Sequence, residues 1–129
     1  MTKIEFQEFS SFGNWINNKD IKSSTNNIIE VVSPYYDKKI ASIPDSTSKD
    51  LQNAVDAAED SFPLWSKTNI RDRAQIMLRF KSIIENDIDN LATIIALDNG
   101  KTIEDAIGSI KRGVEVIDFA ISMPNVLKG

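Results

Sequence analysis

The stretch from Leu97 to Gly113 constrains the fold more than any other part of the sequence. Asn99-Gly100 is a helix-stop signal, because glycine enters the left-handed conformation without steric cost. Just beyond it Thr102 reads as an N-cap, with Asp105 standing where a capping box carries Glu or Gln. One helix therefore ends and another begins within a few residues. Ile103, Ile107, Ile110, Val114, Ile117 and Ile121 then recur in steps of four and three, which lays one apolar stripe along a helix of about five turns. Gly113 falls inside that helix, where it costs about 1 kcal/mol relative to alanine. Pro124 is expected to stop the helix after Met123.

The same logic carries back through the second half of the sequence. Thr47 with Asp50 is a capping signal, followed by an apolar face of Leu51, Ala54, Val55, Ala58 and Phe62. Pro63 is expected to end this first helix at Phe62, with Leu64-Trp65 plugging the turn. Asn69 with Asp72 opens a second helix whose broad face holds Ala74, Met77, Leu78, Phe80, Ile83 and Ile84. Asn86 with Asp89 opens a third, with Ile88, Leu91, Ala92 and Ile95 inward, closing at Gly100. Short links between them argue for antiparallel helix neighbours.

Residues 1–46 read differently. Phe6, Phe9, Phe12, Trp15 and Ile16 supply β-prone bulk, with Gly13-Asn14 as a turn-type pair among them. Asn17 to Asn27 is polar and breaker-rich, so a loop or wide hairpin connection is expected. Ile28 to Val32 is a strand-length apolar run that Pro34 ends. After a turn at Tyr35 to Lys39, Ile40-Ala41-Ser42-Ile43 alternates like a second strand before Pro44. A small antiparallel pair is too little to stand alone. The reading is thus an α+β chain, mostly α, in which N-terminal antiparallel strands (1–46) precede about four helices (47–129). It forms one incomplete domain, because the helical faces carry more apolar surface than a chain of this size covers.

Composition narrows the function. The sequence has 129 residues with 41% hydrophobic and 26% charged, ordinary for a globular chain. Its net charge of −4 argues against nucleic acid as a partner. The basic run Arg71, Arg73, Arg79 and Lys81 is followed at once by Glu85, Asp87 and Asp89, a mixed-charge helix surface. No apolar run reaches bilayer length and the start is polar, so neither a membrane span nor a signal peptide is expected, and the cytoplasm is the expected location. There is no cysteine and no histidine. That removes a thiolate nucleophile, a disulfide framework, and the commonest general base and metal ligands. No metal site and no catalytic residue is expected.

Few side chains invite chemistry. Asn99-Gly100-Lys101 resembles a phosphate contact less than a helix C-cap. Gly108 and Gly113 have no phosphate-loop spacing, and read as places of close helix approach or helix irregularity. Asp98, Glu104 and Asp105 are explained by capping and solvated charge. Trp15, Phe62 and Trp65 read as packing. Arg112 taken alone is a surface arginine; its functional reading is a receiver for a carboxylate.

Taken together, several segments resemble the N-terminal region of the aldehyde dehydrogenase superfamily. They are Gly13-Asn14-Trp15, Val32-Ser33-Pro34 through Ile43-Pro44, Ala54 to Ala58, Ser61-Phe62-Pro63-Leu64-Trp65, Arg73 to Leu78 and Leu97 to Lys101. The segments Ala106-Ile107-Gly108, Lys111-Arg112-Gly113-Val114-Glu115 and Ser122-Met123-Pro124 look most like the methylmalonate-semialdehyde branch. The order and spacing of these segments are more specific than any one of them, and they cover nearly the whole chain after Ser11.

The resemblance implies the first part of a larger α/β subunit: a β-hairpin and the helices that cover a cofactor domain. It implies an NAD-dependent, coenzyme-A-acylating reaction that turns a semialdehyde, CoA and NAD into an acyl-CoA, CO2 and NADH, through a cysteine thiolate. The family's cysteine, general-base glutamate, oxyanion-hole asparagine and nucleotide-binding strands all lie beyond the matched region. The chain alone is therefore expected to be inactive and to bind neither NAD nor CoA. Arg112 stands at the Arg-Gly step that in this branch pairs with the carboxylate of the semialdehyde, and is the one expected substrate-binding residue. Ser109 and Lys111 carry no such role in the resemblance. The expected partner is the missing C-terminal part or another copy of the chain. The other reading is a non-catalytic helical module that covers its apolar faces by self-association.

Overall fold

A computed structural model describes residues 4–127. Four strands precede four helices: β1 (Asn14–Ile16), β2 (Lys19–Ile21), β3 (Ile28–Ser33), β4 (Lys38–Pro44), α1 (Ser48–Lys67), α2 (Ile70–Asn86), α3 (Ile88–Asn99) and α4 (Ile103–Val126). The strands form two separate antiparallel pairs, β1 with β2 and β3 with β4. This is the mostly helical α+β arrangement expected from the sequence. The expectation of extended structure at Met1 to Lys3 lies outside the described residues. The chain divides into two compact units, Glu5–Lys67 and a second that holds Ile4 and the described residues from Thr68 onward. The first helix thus groups with the strands.

In the first unit, the expected loop from Asn17 to Asn27 instead contains a tight hairpin. Asn17 and Asn18 have φ of 51° and 58°, and the pairing places Ile16 opposite Lys19. A two-residue loop with both φ positive matches the right-handed strand twist, and asparagine tolerates that conformation better than most side chains. Gly13 is not the turn. It donates its N–H to Asp20 Oδ1 at 2.8 Å, and a Cβ built on it would collide with the Ile21 carbonyl and with Asp20 Oδ1.

The β3–β4 pair forms where the two apolar runs predict it. Its register shifts between Val31 and Val32, so Ile40 is an extra residue on β4. This bulge breaks the expected alternation: Ile40, Ala41 and Ser42 are all buried, Ile40 to 2% exposure. The other edge of β4 is met by the preceding segment, with Phe9 N–H donating to Ile40 O and Phe12 N–H to Ser42 O.

α1 begins as its capping signal predicts. Thr47 N–H donates to Asp50 Oδ2 at 2.8 Å and Asp50 N–H to Thr47 Oγ1 at 3.3 Å. Its end differs from expectation, because Pro63 lies inside the helix, which continues to Lys67. Pro124 likewise lies inside α4, which runs to Val126. Proline already holds a helical φ and forfeits one N–H···O bond with ring crowding of the preceding turn. A helix packed or bonded on both sides of the ring absorbs that loss, and here Ser66 Oγ bonds Pro63 O while Leu127 N–H bonds Met123 O.

In the second unit α2 and α3 both pack against α4. Ala92, Ala96, Leu97 and Ala106 are fully buried, and the small size of the three alanines lets the helices approach closely. The predicted stripe on α4 is its packed side: each of its six residues is half-buried, whereas Val116 and Phe119 are exposed. Lys81 on α2 reaches Asp118 on α4 with both carboxylate oxygens at 2.7 and 2.8 Å. The α2–α3 link is shorter than Asn86 as a cap requires. Asn86 closes α2, and Asp87 alone bridges, giving its N–H to Ile83 O and Ile84 O and capping α3 without a side-chain bond. Asn69 and Thr102 cap α2 and α4 as expected, accepting from Arg71 N–H and Asp105 N–H.

Candidate functional site

The first turns of α4, with the turn that precedes them, carry Arg112, the one side chain that the sequence singled out for binding. Gly100 closes α3 in the left-handed conformation, φ 73°, with its N–H donated to Ala96 O at 2.8 Å. That reversal leaves Lys101 immediately before the Thr102 cap. Thr102 Oγ1 accepts from Asp105 N–H and donates to Asp105 Oδ2, so the Asp105 carboxylate is held at the cap.

One and two turns on, Ser109 and Arg112 share a face three residues apart. Arg112 Nη2 donates to Ser109 Oγ at 3.0 Å, and Lys101 Nζ donates to the same oxygen at 3.3 Å. Ser109 Oγ in turn donates to Asp105 O at 2.9 Å. A hydroxyl has one donor and two acceptor sites, and all three are used. Its hydrogen is committed to the helix backbone and its lone pairs to two cations.

Arg112 is exposed. Its guanidinium has five N–H donors in a planar fork, and Ser109 engages one nitrogen. Among the described residues no carboxylate lies within ion-pair distance of Arg112 or Lys101; the ion pairs there join Lys39 to Glu30 and Lys81 to Glu85 and Asp118. The expected substrate residue therefore stands open to a carboxylate. Lys101 and Ser109, which the sequence left as architecture and as unassigned, are brought to its side. Periodicity gives no sign of this, because Lys101 lies outside the helix and its side chain crosses the cap to reach Ser109.

The glycines do not mark close helix contacts within this chain. A Cβ at Gly108 would meet only Arg112 Nη1, at 3.6 Å, and one at Gly113 would meet nothing within 4 Å. The Gly100 N–H is taken by Ala96, and Lys101 is turned onto Ser109. Among the described residues no group of carboxylates is arranged to hold a metal ion, and no helix is long and apolar enough to cross a membrane. The strand unit has an open recess of about 680 Å³ lined by Gly13, Asp20, Lys22, Lys39 and Ser42 among others.

Comparison with known proteins gives a consistent picture. The family model described as "Aldehyde dehydrogenase family" matches residues 21–129. The malonate-semialdehyde dehydrogenase of Bacillus pumilus is 36% identical over 129 residues, all of this chain and 26% of the relative. Malonate-semialdehyde dehydrogenase 1 of Shouchella clausii is 37% identical over 116 residues, 90% of this chain and 24% of the relative. Among solved structures, a Sinorhizobium meliloti chain complexed with NAD, provisionally named a methylmalonate-semialdehyde dehydrogenase, superposes with a TM-score of 0.88. It is 27% identical, over 96% of this chain and 25% of that one. The chain spans about a quarter of the length of the curated relatives it matches.

Proposed function

The chain belongs to the aldehyde dehydrogenase family, and we propose that it supplies the N-terminal quarter of an NAD-dependent, coenzyme-A-acylating semialdehyde dehydrogenase. The substrate class is a short semialdehyde that carries a carboxylate, as malonate and methylmalonate semialdehydes do. Arg112 receives that carboxylate. The observation that carries this reading is the open guanidinium of Arg112, steadied by Ser109 and facing no carboxylate among the described residues. A planar fork of donors matches a carboxylate in two parallel hydrogen bonds.

The chemistry belongs to residues beyond these 129. The sequence has no cysteine, so no thiolate here attacks an aldehyde, and hydride transfer and thioester formation need the nucleotide-binding and catalytic parts of the family fold. What this chain contributes is recognition and, on α4, a docking face. Phe119 at 64% and Val116 at 69% exposure are large apolar side chains left open there, and surfaces of this kind mark contacts with further protein. Incubation of the purified chain with malonate semialdehyde, NAD and CoA is expected to produce no NADH. NADH formation by this polypeptide alone contradicts the reading.

The same open apolar side chains favour one other reading, a helical module that associates with itself. Light scattering on the purified chain separates the two: a defined dimer or larger assembly supports self-association, and a clean monomer counts against it.

A further inference from the structure

We propose that Lys101 and Ser109 complete the carboxylate receiver begun by Arg112, with Lys101 as a second cationic contact and Ser109 as the residue that positions both. The inference rests on the reading of Arg112 under the proposed function. Three features of the geometry carry it. Two cations from different parts of the chain, one before the cap and one on α4's third turn, donate to a single neutral oxygen. Neither has a carboxylate at ion-pair distance among the described residues, so their mutual repulsion is left uncompensated, and a bound anion relieves it. The third is that Ser109 donates its hydrogen to Asp105 O at 2.9 Å, which leaves its lone pairs to the two cations.

The surroundings agree. Lys101 sits next to the N-terminus of α4, where the helix dipole favours negative charge and disfavours a cation. The two acidic residues of that first turn do not pair with it: Glu104 is exposed, and the Asp105 carboxylate is bonded to the Thr102 hydroxyl. Gly108 leaves one flank of the guanidinium without a side chain, its nearest Cβ position being 3.6 Å from Nη1. A dicarboxylate or a semialdehyde with one free carboxylate is thereby offered an arginine fork and a lysine ammonium on one side of the helix. Ser109 needs only to release one lone pair for either cation to swing onto the ligand.

The test is a malonate titration of the ¹⁵N-labelled chain at constant ionic strength, read on the side-chain Nε–H of Arg112, with chloride as the control anion. Wild type is expected to show a saturable shift with malonate and none with chloride. K101M is expected to raise the dissociation constant about fivefold, K101R to restore it, and S109A to weaken it in the same direction while S109T retains it. An unchanged backbone amide spectrum in K101M and K101R shows that the fold is intact, and if K101M fails to fold, K101Q replaces it. A K101M titration identical to wild type, with R112M abolishing the response of the neighbouring amides, overturns the role of Lys101 and leaves Arg112 standing. R112M amides that still respond as wild type overturn the Arg112 reading itself. A wild-type chain that answers malonate no more than chloride overturns both.

Discussion

Asp50, at the start of α1 and 6% exposed, accepts the main-chain N–H of Ser24 at 2.9 Å and so fastens the segment after β2 to a helix 26 residues later. Ser23 Oγ, at 2.7 Å, and Thr47 N–H, at 2.8 Å, donate to its other oxygen. Thr47 N–H, then Ser24 N–H, then the Ser23 hydroxyl favour the charged form and hold this carboxyl well below the usual carboxylate range.

The pH dependence of the strand unit follows from that shift. A carboxyl with a lowered value in the folded state stabilises the fold above its unfolded pKa, about 3.9, and loses that contribution as pH falls through the folded value. Thermal melts followed by circular dichroism are expected to show a melting temperature that drops as pH is lowered below about 4. D50N is expected to melt lower than wild type at neutral pH and to respond less to acid. Equal melting temperatures at neutral pH remove Asp50 as the fastening.

Two glycines make opposite predictions. G13A drives a methyl group into the Ile21 carbonyl, and overpacking against backbone costs about 1–3 kcal/mol. G113A meets open space in a helix interior, where alanine is better by about 1 kcal/mol. Urea denaturation of the two variants checks both signs at once. A neutral G13A removes the close approach argued for β1 and β2.

The second unit depends on small residues between α3 and α4. Ala96 is fully buried, so A96L is expected to lose about 1–3 kcal/mol in urea denaturation, as additional methylenes in a filled interior do. An A96L variant as stable as wild type means that α3 does not pack closely there.

Lys81 and Asp118 tie α2 to α4. The carboxylate of Asp118, which accepts from the ammonium, raises the lysine's value, with Glu85 adding to it. For a raised lysine the stabilisation is present below its unfolded pKa, about 10.4, and is lost as pH climbs through the folded value. D118N is therefore expected to melt lower than wild type at neutral pH and low salt. The gap is expected to close in about 1 M salt, because exposed charges are screened. A gap independent of salt assigns the effect to packing.

The sequence carried the local signals well and the side-chain convergence poorly. Thr47, Asn69, Gly100 and Thr102 mark helix ends because each boundary is decided by one residue's own backbone or side chain. The apolar stripe of α4 is legible because it repeats. Pro63 and Pro124 mislead because the cost of an interior proline is offset by the rest of a long helix, which a local rule does not weigh. The β1–β2 hairpin hides because its turn is Asn17-Asn18 rather than a glycine pair. The approach of Lys101 to Ser109 depends on how the chain reverses at Gly100, a tertiary property with no period and no spacing. Arg112 draws attention only through the family resemblance, because its sequence neighbours mark it as a surface arginine.

On the proposed function, this chain stands in for the first quarter of a semialdehyde dehydrogenase and meets the substrate carboxylate with Arg112. The direct measurement is NADH formation by a chimera in which this chain replaces the matched 26% of the Bacillus pumilus malonate-semialdehyde dehydrogenase. The chimera is expected to turn over malonate semialdehyde. R112M within it is expected to lower kcat/KM for that substrate about tenfold to a hundredfold, the loss expected for a charge-assisted hydrogen-bonded pair, and to leave propanal, which has no carboxylate, unaffected. A folded chimera without activity, or an R112M chimera that treats the two aldehydes as the unsubstituted chimera does, contradicts the account.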